Sequence, residues 1–260
     1  MSSSVETIDR IAPTRRPNTR VAGYQCWSNL LFVHWRVPAA QIQPLIPPSL
    51  SLDLWEGEAW VGLVPFYMSG VRPWWSPSVP WLSSFCETNV RTYVHRNGAD
   101  PGVWFFSLEA ARAIAVWIAR WHWRLNYFHA RMSLYRTDHT VRYASDRLRS
   151  RSPVGSRIEA AIGAPWNDPR ATGDHLPGTG VPGTLEHFLV ERYYLYVEGT
   201  HRELMRGQVH HRPYPLRSAR VDSIEENLLE AAGISVAATP CHAIFSEGVS
   251  VEVFPLLTMP

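Results

Sequence analysis

Apolar and polar residues alternate in many short stretches of this chain, and Gly or Pro bounds most of them. This is the pattern of β-strands that bury one face. The stretches rich in β-branched and aromatic residues are predicted strands, at 24–37, 59–71, 87–95, 102–108, 187–198, 204–212 and 243–255, with a hairpin over 130–144 that turns near Asp138. So many strands predict a mainly β protein, built as an antiparallel barrel or sandwich.

Three short helices are predicted between the strands. The first, at 38–45, opens on a proline and is followed by two more. The second covers 109–118. The third, at 224–232, has Ser223 and Glu226 at the spacing of a capping box, and a glycine follows it. Because these helices do not alternate regularly with the strands, a doubly wound sheet is not expected.

Two segments lack a regular pattern of apolar residues. Residues 1–20 are rich in Ser, Arg and Pro and are predicted to be a disordered tail. Residues 145–183 are rich in Pro, Gly, Arg and Asp, and they are predicted to form a long loop or a lid. The remaining length fits one large domain or two small ones.

Charge and composition exclude several classes of partner. The net charge is +2, and the 25 basic residues, all of them Arg, are scattered along the chain, so no nucleic-acid partner is predicted. No apolar stretch reaches the ~20 residues that cross a bilayer, so no membrane span is predicted. Three cysteines without a CxxC motif favour a reducing, cytoplasmic setting.

Standard catalytic motifs are absent from the sequence. It contains no Walker loop, GxSxG or HExxH motif, and no nucleotide or other cofactor is predicted. His210 and His211 are adjacent and would point to opposite faces of a strand, which argues against a shared metal ion. No metal site is predicted, although scattered histidines could still meet in the folded chain.

A polar stripe runs along the predicted strand at 87–95. Glu87, Asn89, Arg91 and Tyr93 are two residues apart and therefore lie on one face of the strand. The stripe is either the solvent side of a sheet or the wall of a polar cavity. In ERYYLY, Glu191 and Tyr193 likewise share one face, and neither face of that strand is wholly apolar.

Eight segments, taken in order, resemble the YqjF-like family, DUF2071. They are WSNLLFVHWRVP, LIPPSLSLD, AWVGLVPFYMSGVRP, FCETNVRTYV, GVWFFSL, GTLEHFLVERYYLY, VHHRPYPL and FSEGVSVEVFPL. This family is similar in turn to acetoacetate decarboxylase. The resemblance implies a single domain over 21–260, folded as an antiparallel β-barrel or clam around a cavity, with a few short helices.

The resemblance also shows where the chain departs from the decarboxylases. Those enzymes form a Schiff base on a lysine that stands beside a second lysine. In the corresponding stretch, RLNYFHARM, Tyr127 and Phe128 stand where the two lysines would be, and this chain contains no lysine at all. Glu87 resembles the cavity glutamate of the decarboxylases and Arg36 their substrate-side arginine. The polar stripe is then expected to face the cavity.

Three hypotheses about function follow. In the first, the chain is an enzyme acting on a small carbonyl, enol or carboxylate compound: Glu87 is the acid or base, Arg91 or Arg36 binds the anion, and Tyr127 or His211 donates a proton. In the second, the cavity holds a hydrophobic or aromatic metabolite without catalysis. In the third, the polar stripes are structural networks. The further substrate contacts expected are Asn89, Tyr93, Phe128, Glu191 and Tyr193. A small molecule is the predicted partner, and a homo-oligomer is left open.

Overall fold

Thirteen β-strands join into a single sheet within the residues that this computed structural model describes, which are 8–79, 81, 83–112, 126–168, 176–199 and 201–259. The strands are β1 (Gly23–Val37), β2 (Ser51–Leu52), β3 (Ala59–Pro73), β4 (Phe85–Arg96), β5 (Ala99–Ala110), β6 (Tyr127–Arg136), β7 (Thr140–Arg147), β8 (Gly155–Pro165), β9 (Tyr194–Glu198), β10 (Leu204–His210), β11 (Leu216–Glu226), β12 (His242–Val253) and β13 (Leu257–Thr258). The short helices are α1 (Ala39–Ile42), α2 (Leu185–Val190) and α3 (Leu228–Ala231), with 3-10 turns at Ala12–Thr14 and Gln43–Leu45. The protein is therefore mainly β, as predicted.

The strand pairings close into a circuit of seven strands. β1, β3, β4 and β5 pair in that order, all antiparallel, and β12 pairs with the other side of β1. β9 joins β5 in parallel, β10 pairs with β9, and β10 meets β12 at Val209 and His210. The second half of β5 instead pairs in parallel with β6, which leads on through β7, β8 and β11 back to β12. β5 and β12 are thus shared by two groups of strands.

Strand β1 shows how alternating residues serve the two faces of the sheet. Leu31, Val33 and Trp35 point to the larger hydrophobic cluster, which also contains residues of β7, β8 and α3. Leu30 and Phe32 point to a second cluster, which they share with residues of β3 and β4. Both faces of the strand are buried over residues 30–35, which explains the consecutive apolar residues at 30–33.

Part of the predicted N-terminal tail contacts distant parts of the domain. Arg10 forms a salt bridge to the buried Asp53, and Arg16 forms one to Glu252 over 2.6 Å. The side-chain amide of Gln208 donates to the backbone carbonyl of Arg15 over 3.1 Å. These partners lie 43 to 236 positions away along the chain, so the local composition gave no sign of them.

Part of the predicted loop or lid at 145–183 is β-strand. Its first residues complete β7, and Gly155–Pro165 forms β8. In β8 the residues Ser156, Ile158 and Ala160 are buried, and the residues between them are more exposed, which is the alternation of a strand with one buried face. The polar composition around this stretch concealed the pattern.

Helix α2 replaces the first part of the strand predicted at 187–198. Leu185, Phe188 and Leu189 have the i, i+3, i+4 spacing of an amphipathic helix. The hydroxyl of Thr184 caps the helix by accepting from the backbone N–H of His187 over 3.3 Å. This helical spacing is visible in the sequence, but the aromatic residues that follow it favour one continuous strand.

The other predicted helices have mixed outcomes. The helix at 38–45 is confirmed as α1 and the 3-10 turn that follows it. The capping box at 223–226 is wrong, because these residues complete β11 and α3 begins only after Asn227. Of the helix predicted at 109–118, the start belongs to β5 and residues 113–118 lie outside the described part of the chain. No helix among the described residues is long and apolar enough to span a bilayer.

Candidate active site

A cavity of about 870 Å³ is lined by residues from all seven strands of the closed circuit. Its wall is mainly apolar and aromatic, and the lining residues include Trp27, Phe32, Phe66, Met68, Phe105 and Tyr214. The exposed Trp74 and Trp75, which follow β3, also belong to the lining. The volume lies in the range of small-molecule sites, and the mostly apolar wall with a few polar groups is typical of them.

Strand β4 places three polar side chains in this wall. Glu87, Asn89 and Arg91 line the cavity and are 3%, 6% and 8% exposed. Tyr93 lies on the same face of the strand and is fully buried, in contact with Arg91 and outside the lining. The polar stripe is therefore interior, as expected for a cavity wall and not for a solvent-facing strand.

Glu87 and Tyr127 form a hydrogen-bonded pair in the cavity. The phenol of Tyr127 donates to Oε2 of Glu87 over 2.9 Å. Burial raises the pKa of Glu87 to about 8, although the hydrogen bond from Tyr127 acts in the opposite direction. Burial, followed by the charge and hydrogen bond of Glu87, raises the pKa of Tyr127 well above its ordinary value. The pair thus holds a carboxyl group that exchanges its proton near neutral pH.

Arg91 is held in the cavity wall by backbone and aromatic groups. Its Nη2 donates to the carbonyl of Leu189 over 2.9 Å and to the phenol of Tyr93 over 3.5 Å. Its guanidinium lies 5.3 Å from the ring centroid of Phe32. Within the described part of the chain, no carboxylate lies at ion-pair distance from Arg91, and its Nε has no hydrogen-bond partner.

A second arginine, which the sequence patterns did not single out, also reaches the cavity. Arg192 is 7% exposed, lines the cavity, and pairs with the buried Asp53 over 2.7 Å. Its Nε donates to the carbonyl of Phe188 over 2.7 Å. Asp53 lies 139 positions away in the sequence, so no local signal marked this pair.

Tyr193 lines the cavity and is fixed from behind by Glu191. The phenol of Tyr193 donates to Oε2 of Glu191 over 2.6 Å, and the backbone N–H of Tyr214 donates to the other carboxylate oxygen over 2.9 Å. Glu191 itself is buried outside the lining. Of these two predicted substrate contacts, the structure brings only Tyr193 to the cavity.

His211, which the sequence suggested as a proton donor, does not line the cavity. Its ring stacks on Tyr193 with the centroids 4.5 Å apart, and its Nδ1 lies 2.7 Å from the carbonyl of Arg212, so Nδ1 carries the proton. Burial lowers the pKa of His211 to about 4. The ring is therefore neutral near pH 7, and its Nε2 is an acceptor.

Arg36 and Phe128 do not line the cavity either. Arg36 is exposed at the end of β1, where its guanidinium lies 5.9 Å from the ring centroid of Trp60. Phe128 follows Tyr127 on β6, so its side chain points to the other face of the strand, and Arg147 lies 3.6 Å from its ring centroid.

No group of three or more His, Cys, Asp or Glu residues in the described ranges is arranged to hold a metal ion. The histidine nearest to the polar stripe is His34. It contacts His242 and Tyr93, and no third metal-ligating side chain joins them among the described residues.

Comparison with known proteins identifies the family that the sequence matches and the fold that the structure shares. The DUF2071 family, described as an uncharacterized conserved protein, matches residues 24–250. The uncharacterized protein YqjF of Bacillus subtilis (strain 168) is 32% identical over 213 residues, which are 82% of each chain.

Two solved structures share the fold at low sequence identity. The acetoacetate decarboxylase of Legionella pneumophila superposes with a TM-score of 0.61 at 11% identity, over 96% of this chain and 94% of the decarboxylase. The enduracididine biosynthesis enzyme MppR, in complex with pyruvate, gives a TM-score of 0.59 at 11% identity, over 94% of this chain and 93% of MppR. At this identity the similarity shows the fold alone.

Proposed function

Because this chain belongs to the DUF2071 family and has the acetoacetate decarboxylase-like fold, we propose that it is an enzyme that acts on a small carbonyl, enol or carboxylate compound by acid–base chemistry. We further propose that the seven-strand circuit forms a barrel around the cavity in which this chemistry takes place. The observation that carries the proposal is the buried pair of Glu87 and Tyr127 in the cavity wall.

Glu87 has the properties of a general acid and base near neutral pH. With a pKa of about 8, the carboxyl group is mostly protonated at pH 7, and about a tenth of the molecules carry the carboxylate. The carboxylate can remove a proton from the carbon next to a carbonyl group, and the resulting acid can return it to another atom of the same substrate. Proton removal and return of this kind underlie tautomerisation, dehydration and cyclisation.

Tyr127 and Arg91 supply the groups that such a reaction needs beside the base. The hydrogen bond from Tyr127 stabilises the carboxylate form of Glu87, so it keeps part of the enzyme ready to accept a proton. Arg91 offers a positive charge to the carboxylate of the substrate or to the oxygen that becomes negative in an enolate. In this proposal no amine takes part, since the chain has no lysine.

A structural neighbour supports this substrate class. MppR is described in complex with pyruvate, a small oxo acid, and also with the condensation product of pyruvate and imidazole 4-carboxaldehyde. Oxo acids have acidic protons next to the carbonyl group and a carboxylate that an arginine can hold. The proposal extends this class to the present chain through the cavity groups and not through the neighbour's reaction.

A non-catalytic binding protein is the second candidate function. The size of the cavity and its many aromatic side chains favour it, because they would suit a hydrophobic or aromatic metabolite larger than an oxo acid. In that case Glu87 would serve as a hydrogen-bonding group and not as a base. The two candidates differ in whether a bound carbonyl compound loses protons to solvent.

Proton exchange tests the proposed chemistry without knowledge of the final product. The purified protein is incubated in D₂O with a panel of 2-oxo and 3-oxo acids that includes pyruvate, and loss of the proton signals next to the carbonyl group is followed by NMR. We expect at least one oxo acid to exchange faster than in buffer. Glu87→Gln should abolish the acceleration, and the surface substitution Arg36→Gln should leave it unchanged.

Two results would contradict the enzyme proposal. Exchange at the buffer rate for the whole panel would favour the binding protein, and unchanged exchange in Glu87→Gln would remove Glu87 from the chemistry. Borohydride reduction in the presence of pyruvate is a useful companion measurement. A covalent adduct detected by mass spectrometry at any position would mean that an amine takes part after all.

A further inference from the structure

We propose that Arg91 and Arg192 together form a binding site for a carboxylate group at the C-terminal end of helix α2. This inference deepens the proposed function by naming a group that the substrate carries. It rests on the proposed function only in placing the substrate in the same cavity. Its test measures binding, so the two proposals can fail separately.

The end of α2 brings the two guanidinium groups together. Carbonyls in the last turn of a helix have no donor within the helix and are open to side chains. Arg192 donates through Nε to the carbonyl of Phe188 over 2.7 Å, and Arg91 donates through Nη2 to the carbonyl of Leu189 over 2.9 Å. The two acceptors belong to consecutive residues, so α2 fixes both arginines at one end of the cavity.

Tyr93 contacts both guanidinium groups. Its ring centroid lies 5.6 Å from the guanidinium carbon of Arg91 and 5.0 Å from that of Arg192. Both arginines also belong to the cavity lining. A ligand in the cavity can therefore meet both guanidinium groups.

Each arginine keeps a buried donor without a partner. Among the described residues, no acceptor reaches Nε of Arg91 or Nη2 of Arg192, although both atoms are shielded from solvent. Both residues are more than nine-tenths buried. Buried donors are rarely left unpaired in folded proteins, and a carboxylate offers two oxygens that only accept hydrogen bonds.

The charges in this region leave an excess of positive charge. Asp53 neutralises Arg192 and also binds Arg10, whose side chain is 25% exposed and so reaches solvent. Arg91 has no carboxylate at ion-pair distance in the part of the chain that the structure describes. Buried charges are usually paired, so the uncompensated charge of Arg91 calls for one negative charge from a ligand.

Neighbouring histidines respond to the same positive charge. Burial, and then the charges of Arg192 and Arg10, lower the pKa of His187 to about 4. The pKa of His34 is also lowered, first by burial, and Arg91 is among the further causes. A protonated histidine is therefore disfavoured in this region, and an anion is favoured as the ligand.

A chain of hydrogen bonds fixes the position of Arg91 before any ligand arrives. The carbonyl of Leu189 can only accept, so the phenol of Tyr93 must donate to it across their 2.8 Å contact. Tyr93 must then accept from Nε2 of His34 over 2.8 Å, which leaves Nδ1 of His34 to accept from Nδ1 of His242 over 3.0 Å. The lone pairs of Tyr93 remain available to Nη2 of Arg91.

The site suits a carboxylate better than a phosphate. A planar carboxylate can bond side by side with guanidinium groups, and one negative charge balances the single uncompensated arginine. The rest of the cavity wall is mostly apolar, which disfavours a doubly charged group that needs more donors. We therefore assign a monocarboxylate with an apolar or carbonyl-bearing remainder.

Calorimetric titration with pyruvate and with its neutral methyl ester tests the site. Pyruvate should bind the wild-type protein at least about tenfold more tightly than methyl pyruvate, and added salt should weaken only pyruvate. Arg91→Gln and Arg192→Gln should each weaken pyruvate binding by about tenfold or more and leave methyl pyruvate unchanged. Arg36→Gln, a matched exposed arginine, should behave as the wild type.

If Arg192→Gln does not fold, the variant Tyr93→Phe still tests the site. This variant removes a hydroxyl that contacts Arg91 and keeps both positive charges. It should therefore weaken pyruvate binding, but the loss of affinity should be several-fold smaller than the loss in Arg91→Gln. Circular dichroism of each variant checks folding.

The NMR signals of the histidine side chains test the hydrogen-bond chain behind Arg91. They should show the Nε2–H form for His34 and the Nδ1–H form for His242.

Several outcomes would overturn the site. They are equal affinities for pyruvate and its ester, pyruvate binding within twofold of the wild type in Arg91→Gln, or no pyruvate binding at millimolar concentration. Inorganic phosphate binding more tightly than pyruvate would overturn the carboxylate assignment. Pyruvate binding that is retained in Glu87→Gln, without proton exchange in the wild type, would instead leave this site intact and remove the proposed enzymatic function.

Discussion

Tyr127 donates its phenolic proton to Oε2 of Glu87 over 2.9 Å, and the two side chains meet in the cavity wall although they stand 40 positions apart in the sequence. The contact joins β4 to the start of β6. Burial of Glu87 acts against the carboxylate, and it affects the pKa more strongly than this hydrogen bond does. The cavity therefore keeps an acid that is neutral over most of the physiological range.

Replacing this acid with glutamine should stabilise the protein in alkaline solution. Folded Glu87 holds its proton up to about pH 8, whereas the unfolded chain releases it near its ordinary value of 4.5, so the free energy of unfolding falls as pH rises between these values. Glu87→Gln does not titrate. We expect it to match the wild type near pH 4.5 and to be about 2–4 kcal/mol more stable at pH 8.

Urea unfolding at both pH values measures this difference. Glu159→Gln, at a partly exposed glutamate on β8, is the control, and it should not become more stable than the wild type at pH 8. A Glu87→Gln protein that gains no stability between the two pH values would show that Glu87 is ionised in the native state at neutral pH.

Removing the hydroxyl of Tyr127 should raise the pKa of Glu87 further. The hydrogen bond from this hydroxyl stabilises the carboxylate, so its loss favours the protonated acid. We expect Tyr127→Phe to shift the titration of the Glu87 carboxyl carbon upward by about one pH unit in a carbon-detected NMR experiment. Tyr196→Phe, whose hydroxyl binds the carbonyl of Asp100, should leave the titration in place. A downward shift in Tyr127→Phe would mean that the hydroxyl does not donate to Glu87.

The buried Asp53 should contribute more to stability than Arg10, the partly exposed arginine that it binds. The side chains of Asp53 and Arg192 are 0% and 2% exposed, whereas that of Arg10 is 25% exposed. Asp53→Ala leaves a buried guanidinium without its carboxylate and should cost about 3–5 kcal/mol. Arg10→Ala removes a partly exposed partner and should cost about 1 kcal/mol. Equal losses in thermal or urea unfolding would show that the N-terminal segment contributes more than its exposure implies.

His211 should make the protein sensitive to acid. Its pKa is about 4 in the folded state and 6.5 in its ordinary environment, so the unfolded chain binds the proton first and stability is lost as pH falls between these values. His211→Asn keeps a donor for the carbonyl of Arg212 and does not titrate. It should lose less stability than the wild type between pH 6.5 and 4, by up to about 3 kcal/mol. An imidazolium signal of His211 in nitrogen NMR at pH 7 would contradict the neutral ring.

Much of the strand structure could be predicted from local pattern. The stretches over β1, β3, β4 and β5 were located to within a few residues, because each alternates or is continuously apolar and ends at Gly, Pro or a turn. The errors occurred where composition and pattern disagreed. Gly155–Pro165 alternates as a strand within a polar segment, and Leu185–Val190 has helical spacing ahead of an aromatic strand.

The sequence predicted only some of the residues of the candidate site. Period-two spacing identified Glu87, Asn89 and Arg91 as one face, and the structure places all three in the cavity. Spacing could not show that Arg192 reaches the same cavity, because its position depends on Asp53 and on the end of α2. Nor could it show that Arg36, although on the same strand face as Phe32, lies beyond the end of the cavity.

The sequence by itself determined which residues could share a face and which chemistry was absent. Strand periodicity is a local property of the backbone, and a chain without lysine cannot form a lysine Schiff base whatever its fold. Only the tertiary structure decided which face is enclosed, that Glu87 contacts Tyr127, and that Arg91 and Arg192 line the same cavity. These depend on strand pairings between distant segments, and it is burial by those segments that raises the pKa of Glu87 to about 8.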